Sequence, residues 1–296
     1  MLNKEKPVEI TFDNQKCTKC GLCAKVCPGE YIQQINGELT INKDSLFGCV
    51  QCGHCMMSCP HDAVFVTGEG ISPSDLVERS KNHTDYNSLY SLLINRRSIR
   101  KFKDEAISNE SIEKILSAAS TGAISLPPYE VKVLVINGKD KVQILAEDIV
   151  NSLGKMTKIM NSFTLSLLKP FIGQQNHKIM KEFVLPLVKE TVEQRSKGND
   201  ILFYNAPCVI LFYTTELSDK EDALIAATLA TTAAQTLGLG TCVIGSVPPA
   251  LNNNKKLKEK YGMNNSEKVQ SAFIMGYPQK SFLKNIKRRF KDVRYY

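Results

Sequence analysis

At 296 residues, with 43% hydrophobic residues and no tryptophan, the chain has material for one large domain or two smaller ones. Its formal charge of +8 is concentrated: residues 276–296 hold seven basic residues against one acid, which leaves the rest close to neutral. That distribution excludes a general appetite for nucleic acid and favours a local anion site. The opening residues MLNKEKPVEITF carry no apolar run after their charges, and no stretch approaches the roughly 18–20 apolar residues of a membrane span, so a cytoplasmic protein without a membrane partner is expected.

Eight of the ten cysteines lie between Cys17 and Cys59, a clustering that in a cytosolic chain argues for metal rather than disulfides. CTKCGLCAKVCP supplies Cys17, Cys20, Cys23 and Cys27, followed by Pro28. CVQCGHCMMSCP supplies Cys49, Cys52, Cys55 and Cys59, followed by Pro60. The spacing C-x2-C-x2-C-x3-C-P therefore occurs twice, 32 residues apart. Three thiolates two residues apart can wrap one cubane, while the fourth starts a short helix leading away and ligates the other cluster. The first [4Fe-4S] cluster is thus assigned to Cys17, Cys20, Cys23 and Cys59, and the second to Cys49, Cys52, Cys55 and Cys27. Zinc sites usually pair two C-x2-C units across a longer loop, which this run fits poorly. His54 reads as a solvated loop residue. The segment resembles bacterial-type two-cluster ferredoxins over about residues 10–67, and potentials on the order of −400 mV suit a wire rather than a catalyst.

A domain over 1–67 is followed by a polar linker over 68–86. Within it Ser72, Pro73 and Asp75 look like a helix start, and His83 is expected to be exposed. The larger domain, 87–296, alternates helices with short apolar strands. Leu89, Leu92 and Leu93 share one helical face. Ser111–Ser120 reads as a compact helix and Val131–Ile136 as a buried strand. Lys178–Lys197 reads as one long amphipathic helix with Met180, Val184, Leu187, Val188 and Thr191 on one side, kinked at Pro186. Cys208–Tyr213 is a further strand. Ser218 and Glu221 suggest a capping box for a helix that closes at Gly238. Its small-residue body suggests close packing on all sides. TCVIGS and SAFIMG are the last strand candidates. The alternation predicts an α+β domain with a sheet flanked by helices. Neither a G-x-G-x-x-G fingerprint nor a P-loop is present, so a built-in nicotinamide domain is not expected.

Four segments, RRSIRKF (96–102), NAPCVI (205–210), LGLGTCVIG (237–245) and MGYPQKSFLKNIKRRF (275–290), together resemble the nitroreductase family of flavoproteins in order and spacing. With the cysteine-rich segment ahead of them, the chain resembles the ferredoxin–nitroreductase fusions of anaerobic microbes. The resemblance implies an α/β sandwich with helices around a mixed sheet, and FMN bound at a homodimer interface. By position, Arg96, Arg97, Ser98 and Arg100 match the loop that holds the ribityl phosphate, and Arg288 and Arg289 match a C-terminal basic pair. Guanidinium forks suit a phosphate dianion. Lys101, Lys280, Lys284 and Lys291 read as solvated. Ile244, Gly245 and Ser246 match the strand–turn beside the flavin ring, while Cys208 and Cys242 read as small buried hydrophobes. In the loop TGAISLPPYE, Ile124 and Leu126 stand where the family commonly has Asn and Gln, leaving backbone groups of Ser125 and Leu126 to face the ring. The insert 151–178 is expected to cover the flavin or line the dimer and substrate pocket.

The implied function is an iron–sulfur flavoprotein oxidoreductase. Reduced ferredoxin or another low-potential donor feeds the two clusters, and FMN passes electrons to a small acceptor such as a nitroaromatic or quinone. No acid–base residue stands out as catalytic. The alternative is an electron-transfer or flavin-handling module without a dedicated substrate.

Overall fold

The computed structural model describes residues 8–125, 130–159, 162–216, 218–280 and 282–296. They form two compact units: one contains the described residues up to His83 with Ile124, Ser125 and Glu130, the other the remainder from Thr84 onward. The segment expected as a linker therefore falls largely within the first unit.

In the first unit the chain runs β1 (Glu9–Phe12), α1 (Leu22–Lys25), β2 (Ile32–Ile35), β3 (Glu38–Ile41), α2 (His54–Met57) and β4 (Val64–Thr67). β1 pairs antiparallel with β4, closing the unit end to end, and β2 pairs with β3 across a left-handed Asn36–Gly37 turn. The cysteine repeat is also a backbone repeat. Each one-turn helix follows a left-handed glycine, Gly21 or Gly53, and each glycine follows a left-handed Lys19 or Gln51. The core is small and holds two of the thiols, Cys23 and Cys55, with Ile32, Met56, Val64 and Val66. The expected helix start at Ser72 is a 3-10 turn, Pro73–Asp75, closed by a reciprocal Ser72–Asp75 cap.

The second unit runs α3 (Tyr86–Asn95), α4 (Asn109–Ala119), β5 (Val131–Asn137), α5 (Lys139–Ile159), α6 (Ser162–Ile179), α7 (Leu185–Ser196), β6 (Cys208–Thr214), α8 (Lys220–Thr236), β7 (Gly240–Val243), α9 (Val247–Asn252), α10 (Lys255–Lys260) and β8 (Lys268–Gly276). The sheet order is β5-β6-β8-β7, with antiparallel neighbours. An isolated parallel bridge, Ser98 to Thr241, adds to the β7 edge, whereas the four named strands pair antiparallel throughout. Alternation along the strands divides the core. Val209, Leu211 and Ile274 pack with α5 and α9 residues such as Leu145, Ile149 and Leu251. Ile210, Phe212 and Phe273 pack on the other face with α4 and α8 residues such as Ile115 and Ala230.

Several expectations change. Val131–Asn137 is a strand but lies at the sheet edge, and only its Ile136 is buried. The 178–197 helix is divided: a π-turn over Met180–Val184 separates α6 from α7, and Pro186 occupies the first turn of α7. Proline has no N–H for a carbonyl one turn back and its ring crowds that turn, so the backbone widens just before it. α6 is itself interrupted at Gly173, φ 80° and ψ 160°, a conformation open essentially to glycine. Asp219, not Ser218, stands at the N-cap position of α8, without a side-chain capping bond; the Ser218 hydroxyl donates to Asp222 at 3.3 Å. Its alanine face packs on the sheet while Leu224 and Ile225 remain exposed, so it is buried on one side only. It does end at Gly238, where Gly238 and Leu239 N–H return to Gln235 and Ala234. On α3, Leu89 and Leu93 stay exposed, while Leu92 and Ile94 are half-buried.

Candidate functional sites

Two small cavities in the first unit are ringed by thiols. One gathers Cys17, Cys20, Cys23 and Cys59; the other gathers Cys27, Cys49, Cys52 and Cys55. Each takes three cysteines from one repeat and the last from the other. The left-handed glycines turn each loop back so that its middle cysteines face inward. Burial pushes the Cys55 thiol up to about 12 and raises those of Cys23 and Cys49, with neighbouring cysteines adding to the effect. Ligation must therefore displace protons from buried thiols, as a multiply charged metal does. A single zinc ion would need its sulfurs about 2.3 Å from one point. Among the described residues no three of His, Cys, Asp and Glu converge in that way. Thiols placed around a space suit a cluster of several atoms. His54 is exposed at the start of α2 and borders the second cavity, as His61 borders the first.

In the second unit the stretch after α3 is pinned at both ends. Ile99 N–H donates to Thr241 carbonyl at 2.9 Å, Lys103 N–H to Tyr277 carbonyl at 2.8 Å, and Gln279 N–H to Lys101 carbonyl at 3.0 Å. Two glycines make room. A Cβ on Gly240 would lie 2.5 Å from Ile99, and one on Gly276 would lie 2.7 Å from Phe102. The apolar residues of RRSIRKF are thus anchors, and they divide the cations between two cavities. Arg96 and Arg97 line one of about 340 Å³, with Thr231, Gln235, Asn285 and Lys280. Arg100 lines another of about 570 Å³, with Ile244, Gly245, Ser246 and Tyr204. The second is walled by apolar side chains of α5, the π-turn and α7, Leu153, Met180, Phe183 and Val188 among them. No side chain or backbone atom occupies the space a Cβ on Gly245 would take.

The remaining expected residues are placed elsewhere. Ser98 makes the parallel bridge and lines neither cavity. Arg288 and Arg289 are exposed in the tail and line neither. Ser125 groups with the first unit and Leu126 lies outside the described residues. Cys208 and Cys242 are buried, and burial pushes the Cys208 thiol up to about 12, which suits packing rather than nucleophilic chemistry. From the insert 151–178, Leu153, Met156 and Thr157 reach the larger cavity. Lys280, read as solvated, joins Arg96 and Arg97; its nearness to Pro278, which bridges Phe102, was the available signal. Tyr204, its ring centroid 5.8 Å from the Arg100 guanidinium, carried no motif signal. A further cavity of about 590 Å³, bordered by Glu113, Lys141, Lys260 and Tyr261, holds none of the expected residues.

Three comparisons bear on these sites. The pattern of the nitroreductase family matches residues 93–277, and that of a 4Fe-4S dicluster domain matches 16–64. NADH-quinone oxidoreductase subunit I 2 of Geobacter metallireducens is 32% identical over 69 residues, 21% of this chain. The chain spans about half that relative's length, 53%. A Bacteroides fragilis nitroreductase with bound FMN superposes with a TM-score of 0.53 at 16% identity, covering 72% of this chain and 100% of that one, which establishes the shared fold. A Desulfitobacterium hafniense nitroreductase with bound FMN is similar at a TM-score of 0.49 and 18% identity, covering 70% and 96%. Among the described residues no helix is long and apolar enough to cross a membrane.

Proposed function

Because the chain belongs to the nitroreductase family and carries a 4Fe-4S dicluster domain ahead of that fold, we propose that it is a cytoplasmic iron–sulfur flavoprotein oxidoreductase. The reading divides it into a two-[4Fe-4S] ferredoxin domain over 1–67, a linker over 68–86 and an FMN domain over 87–296 that works as a homodimer. Electrons enter from reduced ferredoxin or another low-potential donor, and leave to a small acceptor such as a nitroaromatic or quinone. The observation that carries it is the pairing of two four-thiol cavities with a cation-lined cavity and an apolar one in the second unit.

The four thiols of each small cavity would hold one cluster, Cys17, Cys20, Cys23 and Cys59 the first and Cys27, Cys49, Cys52 and Cys55 the second. Arg96, Arg97 and Lys280 supply the charge a phosphate dianion requires, with Ser98 in the same loop. Arg288 and Arg289, on an exposed tail, are free to add to it. The Ile244–Ser246 turn leaves room for a flat ring, and the apolar walls around it keep water from the electrons being moved. When bound, FMN supplies the exchange between one-electron and two-electron carriers.

Anaerobic purification followed by an absorbance spectrum, iron and flavin counts, and turnover with reduced ferredoxin tests this reading. A brown, flavin-containing protein that reduces an acceptor faster than free FMN is expected. Reaction at the rate of free FMN would leave an electron-transfer module without a dedicated substrate. A colourless protein with zinc and no iron would end the cluster assignment.

A further inference from the structure

Two consecutive residues, Tyr204 and Asn205, hold left-handed backbone at φ 55° and 54°. Asparagine tolerates that conformation, but a bulky side chain such as tyrosine is disfavoured there because its Cβ crowds the following carbonyl. The surroundings impose it. Asp200 is only 8% exposed, and its carboxylate accepts Leu202 and Phe203 N–H at 3.1 and 2.8 Å on Oδ1 and Asn205 N–H at 3.0 Å on Oδ2. Gln143 Nε2 donates to the same Oδ2 at 3.0 Å. Arg195 donates in turn to the Gln143 backbone oxygen at 3.1 Å and to Glu147 at 2.9 Å. A hydrogen-bonded chain from α7 through α5 thus locks the bend.

Strained backbone persists where the surroundings over-determine it, and such positions cluster at functional sites. Here the bend delivers one side chain. The half-buried Tyr204 lines the larger cavity with its ring beside Arg100, 5.8 Å from guanidinium to centroid. Among the described residues Arg100 is the only charged one of that lining, and no carboxylate pairs with it. A guanidinium on a long stem is otherwise free to swing into solvent, and an aromatic face is one of the few partners that restrains it without cancelling its charge.

We infer that Tyr204 is a positioning residue: locked by Asp200, its ring holds the Arg100 cation at an apolar cavity, where negative charge gathers on the redox group seated there. This rests on reading that cavity as the flavin-ring site. A fixed cation beside a group that gains electrons stabilises the reduced form, an effect that solvent screens in part because Arg100 is itself exposed. The consequence is a property of the bound flavin, its potential, and not only a rate.

The test uses full-length, anaerobically purified protein, with flavin potential read by reductive titration and thermal melting read in parallel. Arg100→Leu is expected to shift the flavin potential lower, and Tyr204→Phe to leave it unchanged. Tyr204→Asn relieves the left-handed backbone but gives up the ring's packing on the core, so it is expected to melt somewhat lower, keep its flavin and shift the potential in the same direction. Combined with Arg100→Leu it should add no further shift. A wild-type potential in Tyr204→Asn beside a lowered one in Arg100→Leu overturns the inference alone, as does full additivity in the double variant. Tyr204→Asn that melts lower and sheds flavin overturns it in favour of a purely structural tyrosine. A wild-type potential in Arg100→Leu overturns both the inference and the ring-site reading.

Discussion

The thiols that ring the two small cavities all come from one short run of chain, Cys17 to Cys59, while the cations of the two cavities assigned to phosphate and ring are drawn from Arg96, Arg97 and Arg100 on one side and Lys280 on the other. The difference follows from bond strength. A cluster bound by thiolates tolerates a thin core, because ligation itself contributes to folding, and a few cysteines at fixed spacing specify the site. A phosphate and a ring held by weak contacts need a rigid frame, so their residues are spread over whatever elements the sheet brings together.

Four measurements can break or sharpen that contrast. The largest effect is expected from Cys59→Ser, which removes the thiol that one repeat lends to the other. The protein should lose the cluster at Cys17, Cys20 and Cys23, about half its iron on the two-cubane reading, and keep its flavin. Loss of the other cluster instead, read by electron paramagnetic resonance of single-cysteine variants, would refute the crossed arrangement. Arg96→Ala comes next. Losing a charge-assisted partner of a phosphate costs about 1.5–3 kcal/mol, roughly a ten- to hundredfold weaker FMN affinity. Fluorescence of released flavin measures this, and iron content should not change.

Gly240→Ala probes the frame rather than the ligand. The new Cβ would press on Ile99 at 2.5 Å, where the opposing atoms are the branched carbons of a pinned residue. Overpacking of this kind costs about 1–3 kcal/mol, so a lowered melting temperature is expected together with partial flavin loss, iron again unaffected. The smallest effect is confined to alkaline solution. Burial raises the Cys208 thiol from 9.0 to about 12 in the folded chain, so above pH 9 the unfolded chain loses that proton first. Stability is complete below pH 9 and falls as pH rises toward 12, by about 1.4 kcal/mol per pH unit for this one group. Cys208→Ala should flatten the first part of that decline, between pH 9 and 10, in denaturant titrations.

The same contrast governs what could be read in the sequence. Cysteine spacing conveys the grouping of thiols because each loop is short and its glycines fix its turn. Apolar periodicity gave the longer elements around β5, β6, α8, β7 and β8 in their order but no reading of β1–β4, α5, α9 or α10, and Gly238 was legible from its position after α8. Burial was less so: Val131–Asn137 looks like a core strand because nothing in its letters tells that it has a neighbour on one side only. RRSIRKF reads as one cationic loop, whereas Ile99 and Phe102 insert into the glycine gaps and send Arg96 and Arg97 to one cavity and Arg100 to another. That division depends on Gly240 and Gly276, far along the chain. Tyr204 was invisible for a related reason: its position is set by Asp200, Gln143 and Arg195 through contacts that leave no periodic trace.

The crossed cysteines also bear on how small a working piece of this chain can be. Each repeat carries three thiols of one ring and a single thiol of the other. Cutting between the repeats therefore yields not two one-cluster fragments but two pieces that each lack one corner of one ring and three corners of the other. A fragment holding one repeat could complete a ring only by exchanging its last cysteine with a second copy of itself, and the pair would then close two rings at once. The indivisible unit is the doubled segment, and a version with one repeat deleted should bind no complete cluster as a single chain.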